Sequence, residues 1–232
     1  MTDIVLTPKF FDRDSETVAQ HLIGKVVAHR AGGIWLRAAI VEAEAYYLHE
    51  KGSHASLGFT EKRKALFMPA GTIYMYYARG GDSLNVSCRG EGNAVLIKGA
   101  RPDLGVAAPR WRERMVAEMQ RRNPLPSGET RPLERLCSGQ TLLCRALGLS
   151  VPDWDQVMLP QARLRFLDIG YRPERIVRTT RLGIPEGRDG HLPYRFVDWS
   201  HARSATRNPL RGRAREGQDY VILDRSFGGT AR

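Results

Sequence analysis

The stretch Ile40 to Tyr46 reads Ile-Val-Glu-Ala-Glu-Ala-Tyr, and it constrains the fold more than any other part of the chain. Its side chains alternate with a period of two, the period of a β-strand. On such a strand Glu42, Glu44 and Tyr46 share one face, while Val41, Ala43 and Ala45 share the other. The two acids then stand about two residues apart, roughly 6.5–7 Å along the strand. The small apolar residues require a packed core behind the strand. The acidic face has two readings. Either it is a half-exposed face that turns its acids to water, or it is a carboxylate-bearing cleft suited to acid/base chemistry.

Charge bears on that choice. The 232 residues carry 36 Lys+Arg against 25 Asp+Glu, a formal net charge of +11. An excess of this size favours an anionic partner: nucleic acid, a membrane surface or a phosphorylated substrate. No run is apolar enough to span a bilayer. The start, Met-Thr-Asp-Ile-Val-Leu-Thr-Pro, lacks the basic residues and long apolar region of a signal peptide. Nucleic acid therefore leads, no membrane partner is expected, and the expected location is cytoplasmic, with the nucleoid if the source is bacterial. Cys88, Cys137 and Cys144 are too few for a disulfide framework, and neither they nor the six histidines have metal-site spacing. No metal and no cofactor are expected.

At 42% hydrophobic content the chain is long enough for one sizeable core. Asp14 or Ser15 caps a helix to about Leu22, with Gly24 closing it. Strands are predicted near Lys25–His29 and Ile34–Tyr46, joined by an Ala31-Gly32-Gly33 turn. His49 to Arg63 reads as a loop. A second strand pair is expected at Gly71–Tyr77 and Asn93–Lys98, separated by a polar turn and a short apolar piece at Leu84–Val86. Pro109 opens a helix with Trp111, Met115 and Met119 on one face. Its arginines, Arg110, Arg112, Arg114, Arg121 and Arg122, form either a DNA-facing surface or a solvated one. Asn123 to Arg135 reads as a loop and Leu142–Leu149 as a helix. Later strands are expected at Leu164–Asp168, Ile176–Thr180 and Tyr194–Val197. Strands outside a βα alternation point to a single-domain α+β fold on a mixed or antiparallel sheet. That domain is expected over residues 1–200, followed by a segment at 201–217 and a C-terminal piece at 218–232. The middle segment carries Arg203, Arg207, Arg211, Arg213 and Arg215 with almost no apolar residues. It is either a mobile basic arm for phosphate contacts or a soluble tail.

A second cluster accompanies the acidic strand. Tyr74 and Tyr76 share one strand face, with Tyr77 beside them, and with Tyr46 and His54 they suit a flat-walled slot. Aromatic walls hold an extruded base by stacking, at about 1–3 kcal/mol per base. The ordinary alternative is tyrosines packed at the rim of a core.

These residues carry a resemblance. Phe11, Arg13, Ala19 and Leu22-Ile23-Gly24-Lys25 are followed by Ile40-Val41-Glu42-Ala43-Glu44-Ala45-Tyr46 and Ser53-His54-Ala55. Then come Leu66-Phe67-Met68, Gly71-Thr72-Ile73-Tyr74-Met75-Tyr76, Leu84-Asn85-Val86 and Ala94-Val95-Leu96-Ile97-Lys98. Leu136-Cys137-Ser138-Gly139, Leu143-Cys144-Arg145-Ala146-Leu147-Gly148, Arg181-Leu182-Gly183-Ile184 and Pro193-Tyr194-Arg195-Phe196 complete the series. In order and spacing, from about residue 8 to about residue 198, the chain resembles the alkyladenine (3-methyladenine, methylpurine) DNA glycosylases.

The resemblance implies a curved sheet and a monofunctional hydrolase that flips alkylated or deaminated purines out of DNA and cleaves their N-glycosidic bond. It implies Glu44 as the base that activates water, Tyr46, His54 and Tyr76 around the flipped base, and Asn85 at the pocket floor, where it disfavours guanine. Lys98 stands where the family has an arginine beside the catalytic water, a point charge in place of a planar fork. Glu42 is either a second functional acid or an ion-pair partner for an arginine on the sheet, and the motif favours the structural role. Arg63 and Lys64 replace the family's Arg-Asn pair and are expected to contact DNA. Leu142 stands where the family has a lysine. The family's tyrosine wedge is missing from Tyr77-Ala78-Arg79-Gly80-Gly81-Asp82, which leaves Arg79 nearest to that position. A monomer acting on double-stranded DNA, or on single-stranded or distorted DNA, is expected. The competing readings are a module that binds damaged or structured nucleic acid with weak or no turnover and an N-glycosidase for a different nucleic acid or a free nucleoside.

Overall fold

The alternating segment lies in β3, Ile34–Tyr46, the longest strand and the branch point of the sheet. The computed structural model describes residues 3–78, 80–105 and 108–224. Along one edge β3 pairs with β6, Ala94–Pro102. Its other edge is shared: β2, Val26–Ala31, takes residues 34–39, and β9, Arg195–Asp198, takes residues 42–44. Beyond β2 lie β7, Leu164–Asp168, and β1, Ile4–Val5. Beyond β9 lie β8, Arg175–Thr179, and β10, Tyr220–Asp224. Beyond β6 lie β5, Gly81–Ser87, and β4, Ile73–Ala78. All these pairings are antiparallel, which gives the α+β architecture expected from the sequence.

The β2–β3 turn matches its sequence. Gly32 and Gly33 both have positive φ, and Ala31 pairs directly with Ile34. Such a two-residue turn suits the twist of an antiparallel hairpin and favours glycine at both positions. The expected pairing of the Gly71 and Asn93 segments does not form. The apolar piece at Leu84–Val86 belongs to β5, which lies between β4 and β6. Gly80 and Gly81 carry the positive φ that brings the chain back on itself, and Ala78 pairs with Gly81.

Five helices pack on this sheet among the described residues: α1, Pro8–Phe11; α2, Ser15–Leu22; α3, Pro109–Arg122; α4, Gln140–Leu147; and α5, Val151–Trp154. Asp14 caps α2 through its carboxylate and the Thr17 N–H. Val18 and Leu22 of α2, Met115 and Met119 of α3, and Leu143 and Leu147 of α4 enter one main core. Trp111 does not join them. It is 42% exposed and borders a groove with Trp35, so α3 buries a shorter stripe than its sequence offers. Within α3, Arg121 and Arg122 pair with Glu118, while Arg110 and Arg114 are exposed.

The alternation along β3 is interrupted once. Leu36, Ala38 and Ile40 face the main core, and then Ala43 and Ala45 do. Val41, expected beside Ala43, is buried outside that core, because pairing with β6 is irregular around Glu42. An irregularity of this kind changes which face the following side chains occupy. Here it leaves both Glu42 and Glu44 off the core face. Within the segment 201–217, residues 202–210 pack against the sheet. Ala202 and Ala205 pack with Val177 and Val197, and Leu210 borders that cluster. No helix among the described residues is long and apolar enough to cross a membrane.

The Glu42 carboxylate fills the space over Gly99, where an added Cβ would lie 2.8 Å from Oε2. Gly99→Ala is therefore expected to cost about 1–3 kcal/mol, as overpacking does. Denaturant unfolding of the two proteins measures it.

Candidate active site

Glu44 is completely buried, which a charged group tolerates only with partners. Its Oε2 accepts a hydrogen bond from the Tyr46 hydroxyl at 2.7 Å. Its Oε1 accepts from the Leu182 N–H at 3.2 Å. The Lys98 Nζ stands 3.6 Å from Oε2, reaching it from β6 two residues beyond Leu96, the residue paired with the acid. Two neutral donors and one cation thus surround the carboxylate.

A cleft of about 740 Å³ opens beside this group. Tyr46 and Lys98 line it, together with His54, Tyr74, Tyr76 and Asn85. Glu44 lies just behind Tyr46 and Lys98. Tyr74 and Tyr76 project from β4 with their rings 5.5 Å apart at 26°, a stacked pair. The His54 ring meets Tyr76 edge-on at 4.4 Å, and its Nδ1 lies 3.0 Å from the Tyr74 hydroxyl. His54 is set at the head of a short 3-10 turn, His54–Leu57, by the Ser53 side chain, which accepts from the Ala55 N–H. Asn85, on β5, is buried and donates through Nδ2 to the Tyr74 carbonyl at 3.1 Å. Alternation turns Tyr77 away from its neighbours. It is 68% exposed at the edge of the cleft.

Burial, and then the charge of Glu44, push the Tyr46 phenol well above its usual range. Tyr46 therefore keeps its proton and remains a donor to the acid. Burial also raises the Tyr74 phenol. His54 moves the other way: burial first, then the positive charges of Arg63 and Arg188, lower its pKa from 6.5. The slot is thus neutral and aromatic, with one cation and one carboxylate at its base.

Among the other residues singled out in the sequence, Arg63 binds back to its own loop. Its Nε donates to the Gly58 carbonyl at 2.8 Å and its terminal nitrogen to Leu57 at 3.0 Å. Lys64 is close to Glu61, at 3.7 Å on the surface. Arg79 lies outside the described residues. Glu42 pairs with Arg195, a buried ion pair at 2.6 Å, and takes no part in the cleft lining.

Sequence reading gave no role to Arg181. It is buried, stands over the Tyr46 ring at 4.5 Å, donates to the Ala45 carbonyl, and pairs with Glu50 at 2.5 Å. It fixes the Tyr46 ring from behind and brings the neighbouring Leu182 N–H onto Glu44. Its only sequence signal is the Arg181-Leu182-Gly183-Ile184 motif, because its partners are more than a hundred residues away. Among the described residues no group of three or more His, Cys, Asp or Glu side chains is placed to hold a metal ion.

The family model described as methylpurine-DNA glycosylase matches residues 9–202. Three relatives carry the name "Putative 3-methyladenine DNA glycosylase". The one from Pseudomonas savastanoi pv. phaseolicola is 59% identical over 219 residues, covering 94% of this chain and 97% of the relative. That from Pseudomonas aeruginosa UCBPP-PA14 is 55% identical over 223 residues, covering 94% and 90%. That from Koribacter versatilis is 34% identical over 195 residues, covering 81% and 86%.

The shift at His54 has a stability consequence. Its unfolded form titrates near 6.5 and its folded form lower, so the unfolded chain binds more protons in between. Its contribution to stability is complete above 6.5 and falls as pH drops from there to the folded value. His29, whose Nδ1 hydrogen-bonds the Leu147 carbonyl at 2.7 Å, is lowered by burial and adds with the same sign. His54→Gln should flatten part of the loss of stability below pH 6.5, read by denaturant unfolding across pH. NMR should find the wild-type His54 ring titrating below 6.5.

Proposed function

Because the chain belongs to the methylpurine-DNA glycosylase family, whose substrate is DNA, we propose that it excises alkylated or deaminated purines, with Glu44 activating the attacking water. One observation carries this reading: a buried carboxylate, held by Tyr46, Leu182 and Lys98, directly behind an aromatic cleft.

The chemistry follows from that arrangement. Water attacks the anomeric carbon of the flipped nucleotide and gives its proton to Glu44. The glycosidic bond breaks, its electron pair leaves with the purine, and an abasic sugar remains. The sugar passes through a cationic, oxocarbenium-like state, so the carboxylate serves both as base and as counter-charge. Lys98 sets its positive charge beside the acid and lines the cleft in front of it.

Tyr46, Tyr76 and His54 form the walls against which the extruded base stacks. Electron-rich tyrosines favour a base that alkylation has made positive over a neutral one. A 3-methyladenine, 7-methylguanine or hypoxanthine nucleotide also costs less to extrude than a well-paired one. Asn85 is anchored at the cleft floor for discrimination against guanine. Tyr77, exposed at the edge of the cleft, is the aromatic group available to fill the gap left in the duplex. The enzyme acts as a monomer on double-stranded DNA in the cytoplasm, and Arg63 and Lys64 contribute positive field beside the cleft.

Base release from methylated and hypoxanthine-containing DNA, duplex and single-stranded, tests the reading. Glu44→Gln should lower the single-turnover rate by at least about 10²–10⁴-fold, the range for loss of a general base, with DNA affinity largely retained. Undiminished release by this variant would sink the assigned mechanism. No release by the wild type from any of these substrates would favour a binding module.

A further inference from the structure

The match to the family model ends at residue 202, and the arginine-rich segment begins just beyond it. Between His201 and Arg215 there are five arginines and no acid. All five, Arg203, Arg207, Arg211, Arg213 and Arg215, are exposed, and none makes an ion pair among the described residues. A row of exposed, unpaired like charges repels itself and is costly to hold in one place unless an anion is its partner.

Yet the segment is held, and it is held by the acidic strand. Glu42 Oε2 accepts from the Thr206 N–H at 2.7 Å, while Oε1 accepts from Arg195 Nε at 2.6 Å. Arg195 in turn donates to the Arg207 carbonyl at 2.5 Å. Ser138 donates to the Ala205 carbonyl at 2.7 Å, and Arg135 to Ala205 at 3.1 Å. Thr206 Oγ1 donates to the Lys98 carbonyl at 3.4 Å, and Thr206 itself lines the cleft. A buried ion pair is thus used to fasten one stretch of backbone, residues 205–207, against the wall of the candidate active site. Both carboxylate oxygens of Glu42 are spent on this task.

We infer that residues 203–215 form a phosphate-binding wall beside the cleft, anchored by Glu42 and Arg195, which grips the backbone of the DNA strand entering it. The inference rests on the proposed function for the identity of the anion. Glu42 is a positioning residue in this scheme. It touches no substrate; it sets where the arginines stand. The second functional acid considered for the strand is thereby replaced by an anchor for a binding surface.

The test uses undamaged duplex DNA and the full chain, so it does not depend on base release. Affinity is measured from low to moderate salt for wild type, for Arg207→Gln/Arg211→Gln/Arg213→Gln, and for Arg110→Gln/Arg114→Gln/Arg121→Gln. The last removes the same charge from α3, which contributes no residue to the cleft. The wild-type slope of log affinity against log salt should fall by about 2 to 3 in the segment variant, since each lost phosphate contact removes about 0.9. The α3 variant should keep nearly the full slope. Equal slopes in the two variants, or an unchanged slope in the first, overturn the proposal. In Glu42→Gln, trypsin should cut within 203–215 at least about tenfold faster than in wild type, with the cut sites read by mass spectrometry. An unchanged cutting rate in a folded Glu42→Gln protein would refute the anchoring role. Should that variant fail to fold, the salt slopes still decide the matter. Loss of base release with intact salt slopes would count against the glycosylase mechanism and leave the wall standing.

Discussion

Two carboxylates with no exposure to solvent, two residues apart on one strand, are the constraint from which the rest of the structure follows. Leaving either charge unpaired in the interior would cost several kcal/mol. The chain meets the two demands separately. Glu42 receives a guanidinium and a backbone N–H, from Arg195 and Thr206. Glu44 receives a phenol, a backbone N–H and, farther off, an ammonium. The tighter, charge-assisted pair is the structural one. The looser set, with its cation at 3.6 Å, lies directly behind the cleft that Tyr46 and Lys98 line.

This division explains why distant parts of the chain converge on β3. The N–H groups that reach the two acids come from Leu182 and Thr206, far from them in sequence. Arg181 brings the first by pairing with Glu50 and lying over the Tyr46 ring. Arg195 brings the second by standing directly across from Glu44 on β9. Each loop is held at a backbone atom, so the side chains beside it are left for other work: Ile184 and Arg188 along the cleft, Arg207 outward to solvent. The slot itself is rigid for a different reason. Tyr74 and Tyr76 are fixed by β4 pairing with β5, and Asn85 ties the two strands through the Tyr74 carbonyl.

Much of this was legible before any tertiary contact was known. Period-two alternation located β3 to the residue, paired glycines located its hairpin, and the tyrosine spacing put Tyr74 and Tyr76 on one face. These are local signals, set by backbone geometry and by neighbours a few residues away. The failures are equally instructive. Leu84–Val86 was too short an apolar run to be read as a strand, because β5 is polar at one end and gains its stability from strands on both sides. Trp111 kept helical spacing with Met115 and Met119 yet borders a groove. Val41 lost its expected face to an irregularity that no residue-type pattern announces.

Which residues carry charge, which faces alternate and which side chains are aromatic depend only on residue identity and local period. The sequence narrowed the two acids to one base and one structural partner only through family resemblance. Tertiary structure decided how each acid is paired. Glu42 and Glu44 are equivalent in residue type and in strand face. They differ in the Tyr46 hydroxyl, which reaches Glu44 from two residues away, and in what Arg195, Thr206, Leu182 and Lys98 bring to them from more than fifty residues away. Electrostatic pairing acts through space, and its partners are set by the path of the chain.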